Sequence, residues 1–115
     1  MLSLKETVLE YKNWLENMPK LEVMEIYYHD DIVQVQNGEK PITGKKKLLK
    51  LEKENLSKAI WQKESIKTIV IDFRKQLVLG EILIEYETQN HEKKKLEKAF
   101  VQHWQDDKIK YQRFY

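Results

Sequence analysis

Apolar residues change their spacing part-way along this chain, and this change constrains the fold more than any other feature. Up to about residue 59 they recur every three or four positions, as on one face of a helix, whereas from Ile60 onward they alternate with polar residues. The second region holds four runs rich in β-branched and aromatic residues, namely SIKTIVIDF, LVLGEILIEYE, KLEKAFVQHW and KIKYQRFY. Their separators are polar and short, so the pattern predicts four successive antiparallel strands joined by hairpins.

The first half of the chain predicts three helices and one strand. Ser3 followed by Glu6 is a capping-box pattern at a helix start, and Pro19 ends the apolar stripe that follows. A second short helix is predicted in KLEVMEIYY, and a third begins after Gly44. Between them, DIVQVQNG alternates and ends on Asn-Gly, which indicates a strand that runs into a tight turn with its glutamines on one face.

The composition limits the functional classes. At 115 residues the chain is expected to form a single domain, 1–115, with an α+β arrangement of helices on one face of a sheet. Because the net charge is only +2, no electrostatic footprint for nucleic acid is expected. We also expect no membrane partner, since no apolar run is long enough to span a bilayer and the first residues lack the pattern of a secretory signal. The absence of cysteine fits a cytoplasmic protein.

The order of elements and three local patterns resemble the NTF2-like superfamily and, within it, the SnoaL-like proteins. The patterns are ETVLEYKNWL, IYYHDDIVQVQNGEKPITGKKKLLKL and FVQHWQDDKIKYQRFY, and together they span nearly the whole chain. The resemblance implies a cystatin-like α+β cone, in which three N-terminal helices pack on a strongly curved, mostly antiparallel sheet with a pocket at the open end. It also implies a homodimer that forms through the outer face of the sheet.

The same resemblance raises the question of catalysis, because ketosteroid isomerase has this fold. Its chemistry uses a carboxylate base, a tyrosine and a protonated aspartate. Aligned on HDDIVQVQ, the base position falls on Gln36, whose amide cannot take a proton from carbon near neutral pH. The tyrosine position falls on or near Tyr11, and the aspartate position falls near Phe100, which cannot donate. One of the three groups is retained, so no residue is assigned as catalytic.

Amides interspersed with aromatics are typical of a pocket for a neutral, partly polar molecule. The predicted ligand-binding residues are Tyr11, Trp14, Gln34, Gln36, Phe100, Gln102 and Trp104. Within this set we expect Trp104 to lie near Tyr11 and Gln36. An equally simple interpretation is that the aromatics fill the cone and the glutamines face water, and both interpretations stay open at this stage.

Three functional hypotheses follow. The first is a protein that binds a small molecule without catalysis. The second is an isomerase, cyclase or dehydratase that uses Tyr11 with an acid or base such as Glu81, and the third is a scaffold that binds a partner protein. His29, Asp30 and Asp31 stand at a predicted junction between helix and strand, where adjacent residues seldom converge on one ion, so no metal or other cofactor is expected.

Overall fold

The computed structural model describes residues 3–115. The helices are α1 (Leu4–Asn17), α2 (Lys20–Tyr27) and α3 (Lys45–Leu56). The strands are β1 (Tyr28–Gln36), β2 (Ile42–Thr43), β3 (Ala59–Asp72), β4 (Leu77–Thr88), β5 (Lys93–Gln105) and β6 (Lys108–Phe114). Each helix and strand predicted from the sequence is present, and the two-residue strand β2 is an addition that the pattern did not predict.

Local interactions explain where several elements begin and turn. Ser3 caps α1, because its Oγ accepts a hydrogen bond from the backbone N–H of Glu6 at 3.2 Å. The turn between β5 and β6 consists of Asp106 and Asp107, which have φ angles of 53° and 62°. Two successive residues with positive φ are typical of the tight hairpin turns that match strand twist, and aspartate tolerates this conformation.

The six strands form one open sheet in the order β2-β1-β6-β5-β4-β3. Strands β3 to β6 pair as successive antiparallel hairpins, as the sequence predicts, whereas β1 pairs with β6 in parallel. The last strand therefore lies inside the sheet with a neighbour on each side. With three helices packed on this mostly antiparallel sheet, the predicted α+β class is confirmed.

A close approach between strands explains one of the glycines. Gly80 on β4 pairs with Ile69 on β3, close to a register shift between Ile66 and Thr68. A Cβ atom at Gly80 would collide with the carbonyl oxygen of Thr68 and would lie 2.9 Å from Cζ of Phe100. Glycine is therefore required here, because any side chain would force the two strands apart.

The core lies between the helices and the inner, concave face of the sheet. At its centre Tyr11, Tyr27 and Trp104 meet edge to face, with ring centroids between 5.3 and 6.2 Å apart. Phe100 is buried in the same core cluster. The expected proximity of Tyr11 and Trp104 is therefore confirmed.

The opposite, convex face of the sheet carries an apolar row. Val70, Leu79 and Val101 lie side by side on β3, β4 and β5. Val70 is 59% exposed and Leu79 41% exposed, so no element among residues 3–115 covers this row. Separately, none of the helices described in this range is long and apolar enough to cross a lipid bilayer.

Candidate functional site

A cleft of about 530 Å³ opens between α2, α3 and the concave face of the sheet. Its apolar wall comes from α2, α3 and the sheet and includes Met24, Leu48, Leu51, Ile84 and Phe114. Its polar lining includes Lys20, Tyr28, Gln34, Gln36, Glu52, Gln62, Glu64 and Lys98. Apolar walls with a few converging polar groups are the usual composition of a small-molecule site.

The seven predicted ligand-binding residues occupy three different environments. Gln34 and Gln36 line the cleft, because β1 presents alternate residues to the concave face. Tyr11, Phe100, Gln102 and Trp104 are buried in the core and are not among the residues that line the cleft. Trp14 is 37% exposed on α1 and also lies outside the lining. Whether any of the seven contacts a ligand stays a prediction.

A chain of hydrogen bonds joins the buried residues to the cleft. The indole Nε1 of Trp104 donates to Oε1 of Gln102 at 3.1 Å, and Nε2 of Gln102 donates to Oε1 of Gln112 at 2.8 Å. Nε2 of Gln112 then donates to the Tyr28 hydroxyl at 3.0 Å and to Oε1 of Gln34 at 2.8 Å. Gln102 and Gln112 are 2% and 1% exposed, so these bonds satisfy amides that burial would otherwise penalise.

A charged cluster at the other side of the cleft was not predicted from the sequence. Nζ of Lys20 lies 2.7 and 2.8 Å from the two carboxylate oxygens of Glu64. Gln62 donates to Glu64 at 3.1 Å and more weakly to Glu52 at 3.5 Å. A sequence signal was available, because Gln62 and Glu64 alternate with outward residues and share a strand face with the buried Ile66.

Burial and mutual interaction shift the acidity of this cluster. Burial opposes the charge of Lys20, but the carboxylate of Glu64, helped by Tyr28 and Glu52, more than compensates and raises the pKa of Lys20 above its ordinary value. Burial also raises the pKa of Glu52, with the Lys20 ammonium opposing and the Glu64 carboxylate adding to the effect. Lys20 and Glu64 therefore form a charged pair, whereas Glu52 is held closer to its neutral form than a solvated carboxyl would be.

No family model and no curated protein matches this sequence. Among solved structures, a protein of Mesorhizobium loti assigned as a SnoaL-like polyketide cyclase superposes with a TM-score of 0.83 at 15% identity, covering 99% of both chains. An LEH-like epoxide hydrolase of M. tuberculosis has a TM-score of 0.75 at 20% identity, covering 97% of this chain and 80% of the other. TerC, co-crystallised with polyporic acid, has a TM-score of 0.77 at 11% identity, covering 97% of this chain and 89% of the TerC chain.

The chain has the NTF2-like fold. This finding confirms the fold that the resemblance implied, with three N-terminal helices packed on a mostly antiparallel sheet.

Two expectations about this NTF2-like site are wrong. Glu81, the suggested acid or base, is exposed and accepts a hydrogen bond from Thr68 at 2.7 Å. Its neighbour Ile82 is buried, so strand alternation directs Glu81 to the convex face, away from the cleft. The strand register also separates Trp104 from Gln36. Gln36 pairs with Phe114 on β6, and Phe114 pairs in turn with Phe100 on β5. Trp104 lies four residues further along β5 than Phe100.

Gln36 has a different partner in the NTF2-like cleft. Its Oε1 accepts a hydrogen bond from the Lys98 ammonium at 3.1 Å, and the same ammonium lies 5.8 Å from the ring centroid of Phe114. The residue predicted at the isomerase base position is therefore an amide that is bonded to a lysine.

Proposed function

We propose that the cleft binds a small, neutral organic molecule with aromatic or polar character. The observation that carries this proposal is that apolar walls and polar hydrogen-bonding groups line the same cleft. Side chains leave about 530 Å³ of this cleft open, a volume within the usual size of small-molecule sites. A cleft that side chains do not fill also favours small-molecule binding over the scaffold hypothesis, because a scaffold is expected to have a cone packed with side chains.

The balance of charge favours a neutral molecule. Three lysines and three glutamates line the cleft, namely Lys20, Lys58, Lys98, Glu39, Glu52 and Glu64. Lys20 is already engaged by both oxygens of Glu64, so its charge is compensated within the protein. A charged ligand would lose its hydration without gaining a free counter-ion at this end of the cleft.

Proteins with the same fold support a small-molecule role. TerC was crystallised with polyporic acid, and other neighbours are a SnoaL-like polyketide cyclase and an LEH-like epoxide hydrolase. Because one fold hosts many functions, these neighbours support binding of a small organic molecule and extend neither to its charge nor to a reaction.

A second candidate function is an enzyme of isomerase, cyclase or dehydratase type. It is favoured by the two carboxyl groups of Glu52 and Glu64, which share the Gln62 amide but differ in environment. Such differences separate an acid from a base in many active sites. Glu52, with its raised pKa, would replace Glu81 as the titrating group in this alternative.

The binding function is tested with a library of neutral planar compounds, screened by thermal shift and ligand-observed NMR. Leu51→Trp should fill the cleft and abolish specific hits, whereas Leu9→Trp, on the exposed side of α1, should retain them. Hits that bind both variants equally well would place the binding elsewhere. Turnover that disappears in Glu52→Gln would instead favour the enzyme.

We also propose that two copies of the chain associate through the convex face. The exposed row around Val70 and Leu79 supports this assembly, because a symmetric contact would remove the row from water.

A further inference from the structure

In the hydrogen-bond chain beneath the cleft, every bond is donated in the same direction, from Trp104 toward Gln34. Trp104 sets this direction. An indole N–H can only donate, so the group that faces it on Gln102 must be the amide oxygen. That choice turns Nε2 of Gln102 toward Gln112, which must accept with its own oxygen. A side branch from the same Nε2 reaches the Tyr11 hydroxyl at 3.3 Å and ends in the core.

The direction continues to the surface of the cleft. With its oxygen engaged, Gln112 presents Nε2 to the Tyr28 hydroxyl oxygen and to Oε1 of Gln34. Two donors are left over: the Tyr28 O–H proton and the Gln34 amide N–H₂. Neither has an acceptor among residues 3–115, and both residues line the cleft.

These two donors form a defined pair. The Tyr28 hydroxyl and the Gln34 amide contact the same nitrogen of Gln112, which holds them close together. Tyr28 is only 3% exposed, so an unmet donor there is costly unless a ligand or water completes it. Burial raises the pKa of Tyr28, which keeps its proton available for donation.

We propose that Tyr28 and Gln34 together bind the acceptor oxygen of the ligand, and that this oxygen is a neutral carbonyl. This inference rests on the proposed function of the cleft. A carboxylate is disfavoured at this pair because the Lys20 ammonium near Tyr28 is already engaged by both oxygens of Glu64, and the charge of Glu64 would repel it. Trp104, Gln102 and Gln112 act as positioning residues that aim the two donors.

The affinity test uses 1-indanone and its carbonyl-free analogue indane as probes. Wild-type protein should bind 1-indanone more tightly than indane by about fivefold or more, as expected for one or two net hydrogen bonds. Tyr28→Phe and Gln34→Glu should each reduce this ratio toward one. Their matched controls, Tyr86→Phe and Asn55→Asp, also alter the lining of the cleft but should keep the ratio.

Gln112→Glu tests positioning separately from stability. A carboxylate can only accept, so Tyr28 and the Gln34 amide should turn their donors toward residue 112 and away from the cleft. The ratio of 1-indanone affinity to indane affinity should fall while the affinity for indane is unchanged. A merely structural defect would instead weaken the binding of both probes. Should this variant fail to fold, Gln34→Glu carries the test, because Gln34 is only half-buried.

Whether the Gln34 N–H₂ group is free of a protein acceptor is also measurable without a probe. In NMR spectra of the free protein, the side-chain N–H₂ protons of Gln34 should exchange with water much faster than those of Gln112. The reverse order would overturn the proposal outright. Equal binding of 1-indanone and indane would overturn the carbonyl preference but leave the cleft as a binding site, whereas Leu51→Trp retaining every library hit would overturn the proposed function itself.

Discussion

The ion pair between Lys20 and Glu64 offers a direct test of how the cleft is built. It joins the first residue of α2 to β3, and the two side chains are 16% and 6% exposed. Replacing Lys20 with methionine keeps much of the side-chain length but removes the ammonium. Glu64 then stays buried, with only the Gln62 amide as a hydrogen-bond donor among residues 3–115.

The expected loss of stability follows from that geometry. Breaking a buried pair by removing one partner typically costs about 3–5 kcal/mol, because the remaining charge is uncompensated. The partial exposure of Lys20 and the open cleft let water reach Glu64, so we expect a loss of about 3 kcal/mol, at the lower end of that range. Lys20→Met combined with Glu64→Met should recover most of this loss, since no unpaired charge remains.

Urea unfolding at pH 7, followed by tryptophan fluorescence and circular dichroism, measures these differences. The matched control is Lys110→Met, which breaks a 3.7 Å pair with the largely exposed Asp31 and should cost below about 0.5 kcal/mol. A loss for Lys20→Met as small as that of the control would show that the pair does not hold α2 on the sheet. A double variant as unstable as the sum of the two single variants would refute the argument from uncompensated charge.

Further predictions address the pH response, the sheet and the assembly. Because the pKa of Glu52 is raised in the folded state, its ionisation destabilises the fold, so Glu52→Gln should unfold at higher urea than wild type at pH 7 and at equal urea at about pH 3, where the carboxyl is protonated in both the folded and the unfolded state. Gly80→Ala should cost about 2 kcal/mol in urea unfolding, because its methyl group overpacks against Phe100 and the neighbouring strand. A chain truncated after Asp107 should lack cooperative unfolding, since β6 lies inside the sheet, and a native-like circular dichroism spectrum would contradict this. Light scattering should give twice the 14.0 kDa chain mass, and a clean monomer at tens of micromolar would count against pairing through the convex face.

The order and type of the elements were predictable because they depend on local periodicity. The change of spacing near Ile60 identified the strands, and the alternation in β1 placed Gln34 and Gln36 on one face before any contact was known. The pairing of β6 with β5 followed from the short turn between them. The parallel pairing of β6 with β1 was not predictable in the same way, because it joins segments more than seventy residues apart, without a turn to indicate it.

The charged cluster escaped prediction for a related reason. Lys20 and Glu64 are separated by 44 positions, and each residue taken alone in the sequence predicts an ordinary exposed charge. Only the tertiary fold, which brings the first residue of α2 beside β3, makes them partners. The alternation of β3 did place Glu64 on the face of Ile66, so the burial of a charge could be inferred, whereas the identity of its partner could not.

The two glutamines of β1 show where prediction from residue type ends. An amide carries both donors and an acceptor, so the sequence cannot say which group either glutamine presents to a ligand. In the structure each oxygen is taken by a group that donates: Gln112, 78 positions away, bonds Gln34, and Lys98, 62 positions away, bonds Gln36. Both glutamines therefore turn their N–H₂ groups outward, and the wall of the cleft formed by β1 offers donors. The chemical preference of the site is set by residues behind it, which is why it depends on the completed fold.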